Sequence, residues 1–143
     1  MPGDLDTQLR RILAECRTIA VVGLSAQPHR PSHGVALYMQ SQGYRIIPVN
    51  PAYTEVLGER CHASLEAVPE PVHMVNVFRR TDEVLPVARQ AIAIGARCFW
   101  QQLGVVNEAA DQLVRAAGLD AVMDRCLKIE HARIGHARLR GRA

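Results

Sequence analysis

The chain has 143 residues, of which 48% are hydrophobic and 22% are charged, and its formal net charge is +3. This length suits one folded domain, and no apolar run approaches the roughly 18 to 20 residues that span a bilayer. Aromatic residues make up only 4% of the chain, too few for a surface that stacks single-stranded nucleic acid. We therefore expect neither a nucleic-acid partner nor a membrane partner.

Short apolar strands alternate with helical patterns along the chain. A helix is predicted at residues 4–16. Strands follow at 18–23, from 44 to the Asn50-Pro51 break, at 72–78, 96–100 and 119–123, and helices at 33–42, from 81 or 82 to 95, at 107–117 and from about 127. Residues 52–71 are loop-like, with a short helical turn near 64–68. This alternation predicts an α/β fold of three layers, in which a five-stranded parallel sheet has helices on both faces.

The four cysteines stand far apart, without a Cys-x-x-Cys pair or a regular histidine spacing. Such usage is typical of reduced thiols and predicts neither a disulfide framework nor a metal site. The first residues lack the basic and apolar pattern of a signal peptide. We expect one cytoplasmic domain over residues 1–143, with a basic tail at residues 137–143.

The segment after the first strand has the pattern of an anion-binding loop. Gly23 ends the strand, where a ligand can approach the backbone without meeting a Cβ atom. Ser32 follows Pro31 and is the predicted N-cap of the next helix, whose free amides and dipole would attract a phosphate. Arg30 adds a full positive charge. A turn that binds nothing is the alternative, because the loop lacks the glycines of the dinucleotide fingerprint.

Ligands of such sheets bind beyond the carboxyl ends of the strands. The residues there are polar, basic and aromatic: Gly23, Ser25, Asn50, Pro51, Tyr53, Phe78, Arg79, Arg80, Trp100, Gln101, Gln102, Asp124, Arg125 and Cys126. No Ser-His-Asp or paired-acid arrangement is evident, so we expect no catalysis by this chain alone. Asn50 stands where an NAD enzyme would place an acidic residue, whereas Arg79 suits a phosphorylated ribose.

Several motifs in this order carry a resemblance: Val21-Val22-Gly23-Leu24-Ser25 with Arg30-Pro31-Ser32, Pro48-Val49-Asn50-Pro51, Phe78-Arg79, Trp100-Gln101-Gln102, and Asp124-Arg125-Cys126 with Glu130-His131. They resemble the small stand-alone CoA-binding domain proteins, which are similar to the CoA-binding domain of the succinyl-CoA synthetase α subunit. The resemblance covers roughly residues 7–136. It implies a Rossmann-like CoA site, with strand order 3-2-1-4-5 and the pyrophosphate on the first loop.

The resemblance also implies a role for each site residue. Phosphates would meet Gly23, Ser25, Arg30 and Ser32; the nucleotide would lie against Asn50, Pro51 and Tyr53; a wall beside it would comprise Val77, Phe78 and Arg79; the pantetheine arm would border Trp100 and Gln101. The synthetase needs a phosphohistidine domain and a partner subunit, and neither fits this length. The resemblance therefore implies binding of CoA or an acyl-CoA without ligase activity.

Other functions stay open at this point. An NADP-dependent oxidoreductase would use Arg79 for the 2′-phosphate, and an accessory subunit would carry CoA for a partner enzyme. A homodimer is also compatible with the sequence. Cys126, beside Arg125, either forms a mixed disulfide with the ligand thiol or is a buried inert cysteine.

Overall fold

The computed structural model describes residues 2–135, and the predicted basic tail at 137–143 lies outside the described residues. In chain order the elements are α1 (Pro2–Glu15), β1 (Thr18–Val22), α2 (Pro31–Ser41), β2 (Arg45–Val49), β3 (Glu55–Val56), β4 (Glu59–Arg60), β5 (Met74–Val77), α3 (Val84–Ala93), β6 (Cys98–Gln101), α4 (Glu108–Ala116), β7 (Asp120–Met123) and α5 (Leu127–Glu130). Single 3-10 turns lie at Leu65–Ala67 and Thr81–Glu83, and a π-helical turn, His131–Gly135, prolongs α5. Between residues 2 and 135, no helix is both long and apolar enough to cross a bilayer.

A parallel sheet of β1, β2, β5, β6 and β7 forms the middle of three layers. The side chains of β1 show how the layers are built. Ile19 and Val21 face a core shared with α1, α2 and α5, whereas Ala20 and Val22 face a core shared with α3 and α4. All four are buried, because successive residues of a strand point to opposite faces and helices cover both. The predicted α/β fold class is confirmed.

The strand order differs from the expected 3-2-1-4-5. Counted in chain order within the sheet it is 2-1-3-4-5, because β5 pairs directly with β1, with Ile19 opposite Met74. The place beyond β2 holds only a single parallel bridge between Val49 and His62. The chain between these two residues folds into the antiparallel hairpin of β3 and β4, which leaves no room for a crossover helix and a full strand.

This order fixes where a ligand site can lie. From β1 the chain moves to β2 on one side and then returns to β5 on the other, so the direction of strand addition reverses beside β1. In open parallel sheets the ligand crevice lies at such a switch point, outside the carboxyl ends of the strands. Gly23 follows β1 and Phe78 follows β5, so these two residues flank the crevice.

Candidate functional site

The ends of β1 and β5 approach each other closely at Gly23 and Phe78. The amide of Phe78 donates to the carbonyl oxygen of Val22 at 2.8 Å, which continues the ladder past the strands. Gly23 has φ +89°, and a Cβ atom built on it would overlap the carbonyl oxygen of Phe78. Only glycine permits both the backbone conformation and the approach.

The start of α2 differs from the predicted capping arrangement. Pro31, not Ser32, begins the helix, because its fixed φ suits the first helical position, and the N-cap residue Arg30 makes no side-chain capping bond. Ser32 lies inside the first turn and is 5% exposed. Its Oγ accepts a hydrogen bond from the Ser25 amide at 3.0 Å, so it fastens the loop onto the helix.

Fewer free backbone amides are available to an anion at the helix start than the sequence predicted. The amides of His33 and Gly34 both donate to the carbonyl oxygen of Arg30, at 3.1 and 3.3 Å. The Ser32 amide has no acceptor among residues 2–135, so it is available to a ligand at the positive end of the helix dipole. The Arg30 guanidinium is exposed beside it and has no carboxylate partner within the described residues.

Asn50 joins the end of β2 to this loop. Its Nδ2 donates to the carbonyl oxygen of Leu24 at 3.0 Å, and its Oδ1 accepts from the Ala52 amide at 2.9 Å. Both ends of the side-chain amide are therefore committed to backbone groups. Asn50 therefore holds the shape of the loop.

A cavity of about 340 Å³ opens in the crevice, and we refer to it as the polar cleft. It brings together predicted residues from three separate parts of the chain: Gly23, Ser25, Arg30, Ser32, Asn50, Tyr53 and Phe78. Gln27 and Pro31 complete the lining. Its volume lies within the usual range of small-molecule sites.

A second cavity of about 530 Å³ adjoins the polar cleft, and we refer to it as the apolar chamber. Its lining comprises Pro31, Val35, Phe78, Arg79, Arg80, Gln102, Leu103, Val105 and Cys126. Pro31 and Phe78 line both cavities, so the two lie side by side. Leu103 and Val105 are not among the residues predicted from the sequence. The signal in the sequence was a large apolar side chain, Leu103, two residues after the end of β6, and in the structure it is 60% exposed.

Four predicted site residues lie outside the polar cleft and the apolar chamber. Val77, Trp100 and Gln101 are 0% exposed, so they present no surface to a ligand in this conformation. The indole N–H of Trp100 donates to the carbonyl oxygen of Arg125 at 2.8 Å, and the Gln101 side chain holds the backbone of the α4 cap. Pro51 is exposed and lines a small recess of about 100 Å³, which Arg79 also lines.

The two consecutive arginines after β5 have different surroundings. Arg80 is exposed and lies 3.6 Å from an Asp82 oxygen and 3.8 Å from a Glu83 oxygen. Arg79 is half-buried, has no carboxylate partner in the part of the chain that the structure describes, and lines the apolar chamber. An unpaired guanidinium is the better phosphate ligand. This difference favours Arg79 over Arg80 as a ligand-binding residue.

The cysteines fall into two groups. Cys16, Cys61 and Cys98 are buried, and burial raises the pKa of Cys16 to about 11 and also raises the pKa values of the other two. Cys126 is half-buried and lines the apolar chamber. Over residues 2–135, no cluster of His, Cys, Asp or Glu is arranged to hold a metal ion.

A family of sequences described as the CoA binding domain matches residues 17–132, which contain both cavities. The chain belongs to this family. The resemblance drawn from the sequence motifs is thereby confirmed at the level of the family. The assignment gives the protein a CoA-related function.

Relatives of this CoA-binding domain span nearly its full length. The uncharacterized protein YneT of Bacillus subtilis (strain 168) is 44% identical over 125 residues, covering 87% of this chain and 93% of YneT. A hypothetical protein from Pyrococcus horikoshii OT3 is 36% identical with a TM-score of 0.88, covering 90% of this chain and 91% of its own. A Thermus thermophilus protein, cell-free ID.343, is 37% identical with a TM-score of 0.86, and the match covers 90% of this chain and 98% of that protein.

A larger enzyme contains a similar fold. The dinucleotide-forming acetyl-coenzyme A synthetase 1 of Ca. Korarchaeum cryptofilum aligns with 76% of this chain at a TM-score of 0.67, over 26% of the enzyme. The sequence identity is 21%. At this level the likeness concerns the fold alone.

Proposed function

We propose that this protein binds CoA or an acyl-CoA, with the diphosphate in the polar cleft and the pantetheine arm directed toward the apolar chamber. The observation that carries the proposal is the junction of the two cavities at Pro31 and Phe78. The polar cleft is lined mainly by polar groups, including Arg30, whereas the apolar chamber has mainly apolar walls beside Arg79 and Arg80. CoA has the same division between its nucleotide and its thiol-bearing arm.

The free energy of binding would come mostly from the phosphates. The unpaired Arg30 guanidinium and the Ser32 amide lie at the same helix start, and a hydrogen bond to a charged group contributes about 1.5 to 3 kcal/mol. Arg79 would contact a further phosphate from the other side of Phe78. Phe78 and Tyr53 would supply apolar contact to the nucleotide.

We also propose that the protein catalyses no reaction on its own. The residues that line the polar cleft and the apolar chamber include no aspartate, glutamate or histidine. General acid or base catalysis usually depends on such groups. Incubation with acetyl-CoA tests this part, and we expect thioester loss at the rate of buffer alone.

Isothermal titration calorimetry with CoA tests the binding proposal. Arg30→Ala removes one charged contact, so we expect an affinity about tenfold weaker. Arg89→Ala is the matched control, because Arg89 is an exposed arginine on α3, on the opposite face of the sheet. Its affinity should stay within about twofold of the original. Absence of binding at millimolar CoA, or equal affinities for the two variants, would contradict the proposal.

If the protein were instead an NADP-dependent enzyme, it would bind NADP in preference to CoA. A ligand that binds the native state raises the melting temperature. We therefore expect CoA to raise it at concentrations where NADP does not. Native mass spectrometry of the freshly purified protein would report the mass of any bound ligand together with the number of subunits, which also tests the possible homodimer or partner enzyme.

A further inference from the structure

The wall of the apolar chamber includes a leucine that the fold leaves uncovered. Leu103 is exposed, and it lines the same cavity as the buried side chains of Val35 and Val105. Leu37 and Ile129 are also exposed, but they line neither the polar cleft nor the apolar chamber. Single apolar side chains on a surface are common and need no partner. Leu103 differs from them because an occupant of the chamber would cover it.

The backbone holds Leu103 in this exposed position. Leu103 lies in a tight turn, in which the amide of Val105 donates to the carbonyl oxygen of Gln102 at 2.8 Å and Gly104 has φ +86°. The amide of Gly104 donates to Oδ1 of Asp124 at 2.8 Å. Asp124 itself has φ +62°, a conformation that few residues other than glycine adopt. The turn after β6 is therefore fastened to the end of β7, and Leu103 cannot fold inward without breaking these bonds.

One hydrogen-bond donor lies in the chamber wall beside this leucine. Gln102 is 5% exposed and lines the chamber. Its Oε1 accepts from the amide of Leu127 at 3.3 Å, which fixes the orientation of the side-chain amide. Its Nε2 has no hydrogen-bond partner among residues 2–135. Polar groups of buried side chains normally have partners, so this donor is available to a carbonyl oxygen of an occupant.

The chamber combines these features with an absence of negative charge. Its lining residues include no carboxylate, and the two charged ones are Arg79 and Arg80. A cationic occupant would therefore be repelled. Small-molecule sites are commonly apolar with a few placed polar groups that orient the ligand. An uncharged chain that carries one carbonyl group matches such walls.

We propose that the ligand is a medium-chain acyl-CoA, whose acyl chain lies in the apolar chamber against Leu103 while Nε2 of Gln102 donates to the thioester carbonyl oxygen. The inference rests on the proposed CoA binding, because the polar cleft that would hold the diphosphate meets the chamber at Pro31 and Phe78. Leu103 and Gln102 are then the residues that distinguish an acylated ligand from free CoA.

Calorimetry with a series of ligands tests the inference on the full-length protein. Burial of one methylene group raises affinity about fourfold. We therefore expect octanoyl-CoA to bind about tenfold tighter than acetyl-CoA, or more. The thioether S-octyl-CoA has no carbonyl oxygen, so it should bind about fivefold weaker than octanoyl-CoA. Octanoate, which lacks the phosphates, should bind far more weakly than octanoyl-CoA.

A matched pair of variants tests the role of Leu103. Leu103→Gln should weaken octanoyl-CoA binding about fivefold and leave the affinity for CoA within about twofold, because only the acyl chain loses apolar contact. Leu37→Gln replaces a leucine of similar exposure outside both cavities, and it should leave both affinities unchanged. Both side chains are exposed, so neither change should disturb folding.

The possible failures are distinguishable. If CoA binds but octanoyl-CoA binds no tighter than acetyl-CoA, the acyl-chain inference is wrong and the proposed function stands. Equal effects of Leu103→Gln and Leu37→Gln would lead to the same conclusion. Equal affinities for octanoyl-CoA and S-octyl-CoA would overturn the role of Gln102, and octanoate binding as tightly as octanoyl-CoA would overturn the connection between the chamber and the cleft. If no CoA compound binds, the proposed function fails as well.

Discussion

The hydroxyl oxygen of Ser32 accepts a hydrogen bond from the amide of Ser25 at 3.0 Å, across the loop that joins β1 to α2. The Ser25 hydroxyl in turn accepts from the amide of Gln27 at 3.0 Å. The two serines therefore use their hydroxyls to shape the loop. A phosphate in the polar cleft would meet the outside of this network and the free amide of Ser32.

Replacement of Ser32 by alanine should weaken both the fold and CoA binding. The Ser25 amide would lose its acceptor, which should lower the free energy of unfolding by about 1 kcal/mol. Ser41→Ala is the matched control, because Ser41 ends the same helix and its hydroxyl donates to the Tyr38 carbonyl oxygen at an exposed site. Urea denaturation followed by circular dichroism, together with calorimetry, measures both effects. Equal CoA affinities for the two variants would contradict the role assigned to Ser32.

Gly23→Ala should be severely destabilising. Its φ of +89° alone should cost about 1 to 3 kcal/mol for a residue with a Cβ, and the overlap with the Phe78 carbonyl oxygen adds to that cost. Gly34→Ala is the control, since a Cβ on Gly34 would meet nothing within 4 Å. Within α2 this change should stabilise the protein by up to about 1 kcal/mol. Thermal unfolding of both variants tests the contrast, and similar melting temperatures would refute it.

Arg79, which has no carboxylate partner, and Arg80, which lies near two carboxylates, should differ in their contribution to CoA affinity. Arg79→Ala should weaken CoA binding about tenfold, because one charged contact to a phosphate is lost. Arg80→Ala should change affinity by no more than about twofold, because its guanidinium is exposed and lies near two carboxylates. Calorimetry at several salt concentrations distinguishes them. The salt dependence should decrease only in the Arg79 variant, and the opposite ranking would remove Arg79 from the site.

An ion pair between α1 and β7 should make stability depend on acid pH. Arg11 makes two hydrogen bonds to the Asp120 carboxylate, at 2.9 and 2.7 Å, and these hold the pKa of Asp120 below its usual range. A lowered pKa in the folded state means that the stabilisation is complete above the unfolded value of about 4. It is then lost as the pH falls through the folded value.

Asp120→Asn should therefore destabilise the protein by about 0.5 kcal/mol at neutral pH, since the pair is partly exposed. The difference from the original protein should disappear in strong acid. Asp82→Asn is the control, because Asp82 is 76% exposed and lies 3.6 Å from Arg80. Urea titrations at a series of pH values measure the difference. A difference that grows as the pH falls would show that the pair does not act in this way.

The strands and helices with a regular apolar pattern were predictable from the sequence. The strands of the sheet and the helices between them follow the apolar pattern. The helix predicted at 107–117 corresponds to α4, and Asn107 caps it, with its Oδ1 accepting from the Ala110 amide at 2.9 Å. The hairpin of β3 and β4 was not predicted, because strands of two residues carry no alternation to detect. The strand order was wrong because it depends on which edge β5 joins, and no local pattern encodes that choice.

Part of the site was also predictable from the sequence. Residues that directly follow β1, β2 and β5 converge because parallel strands end at the same edge of the sheet. Trp100 and Gln101 belong to β6 itself, and their side chains are buried. The serine hydroxyls hold the loop and are not directed at a ligand. The sequence does not reveal this, because the hydrogen bond between Ser25 and Ser32 depends on the path of the loop.

The bond from the Trp100 indole to the Arg125 carbonyl oxygen connects the one tryptophan of the chain to the residue before Cys126. Indole emission responds to changes in hydrogen bonding at its nitrogen. The protein therefore contains its own optical reporter for the chamber wall: displacement of this segment by an occupant would shift the fluorescence without any attached label.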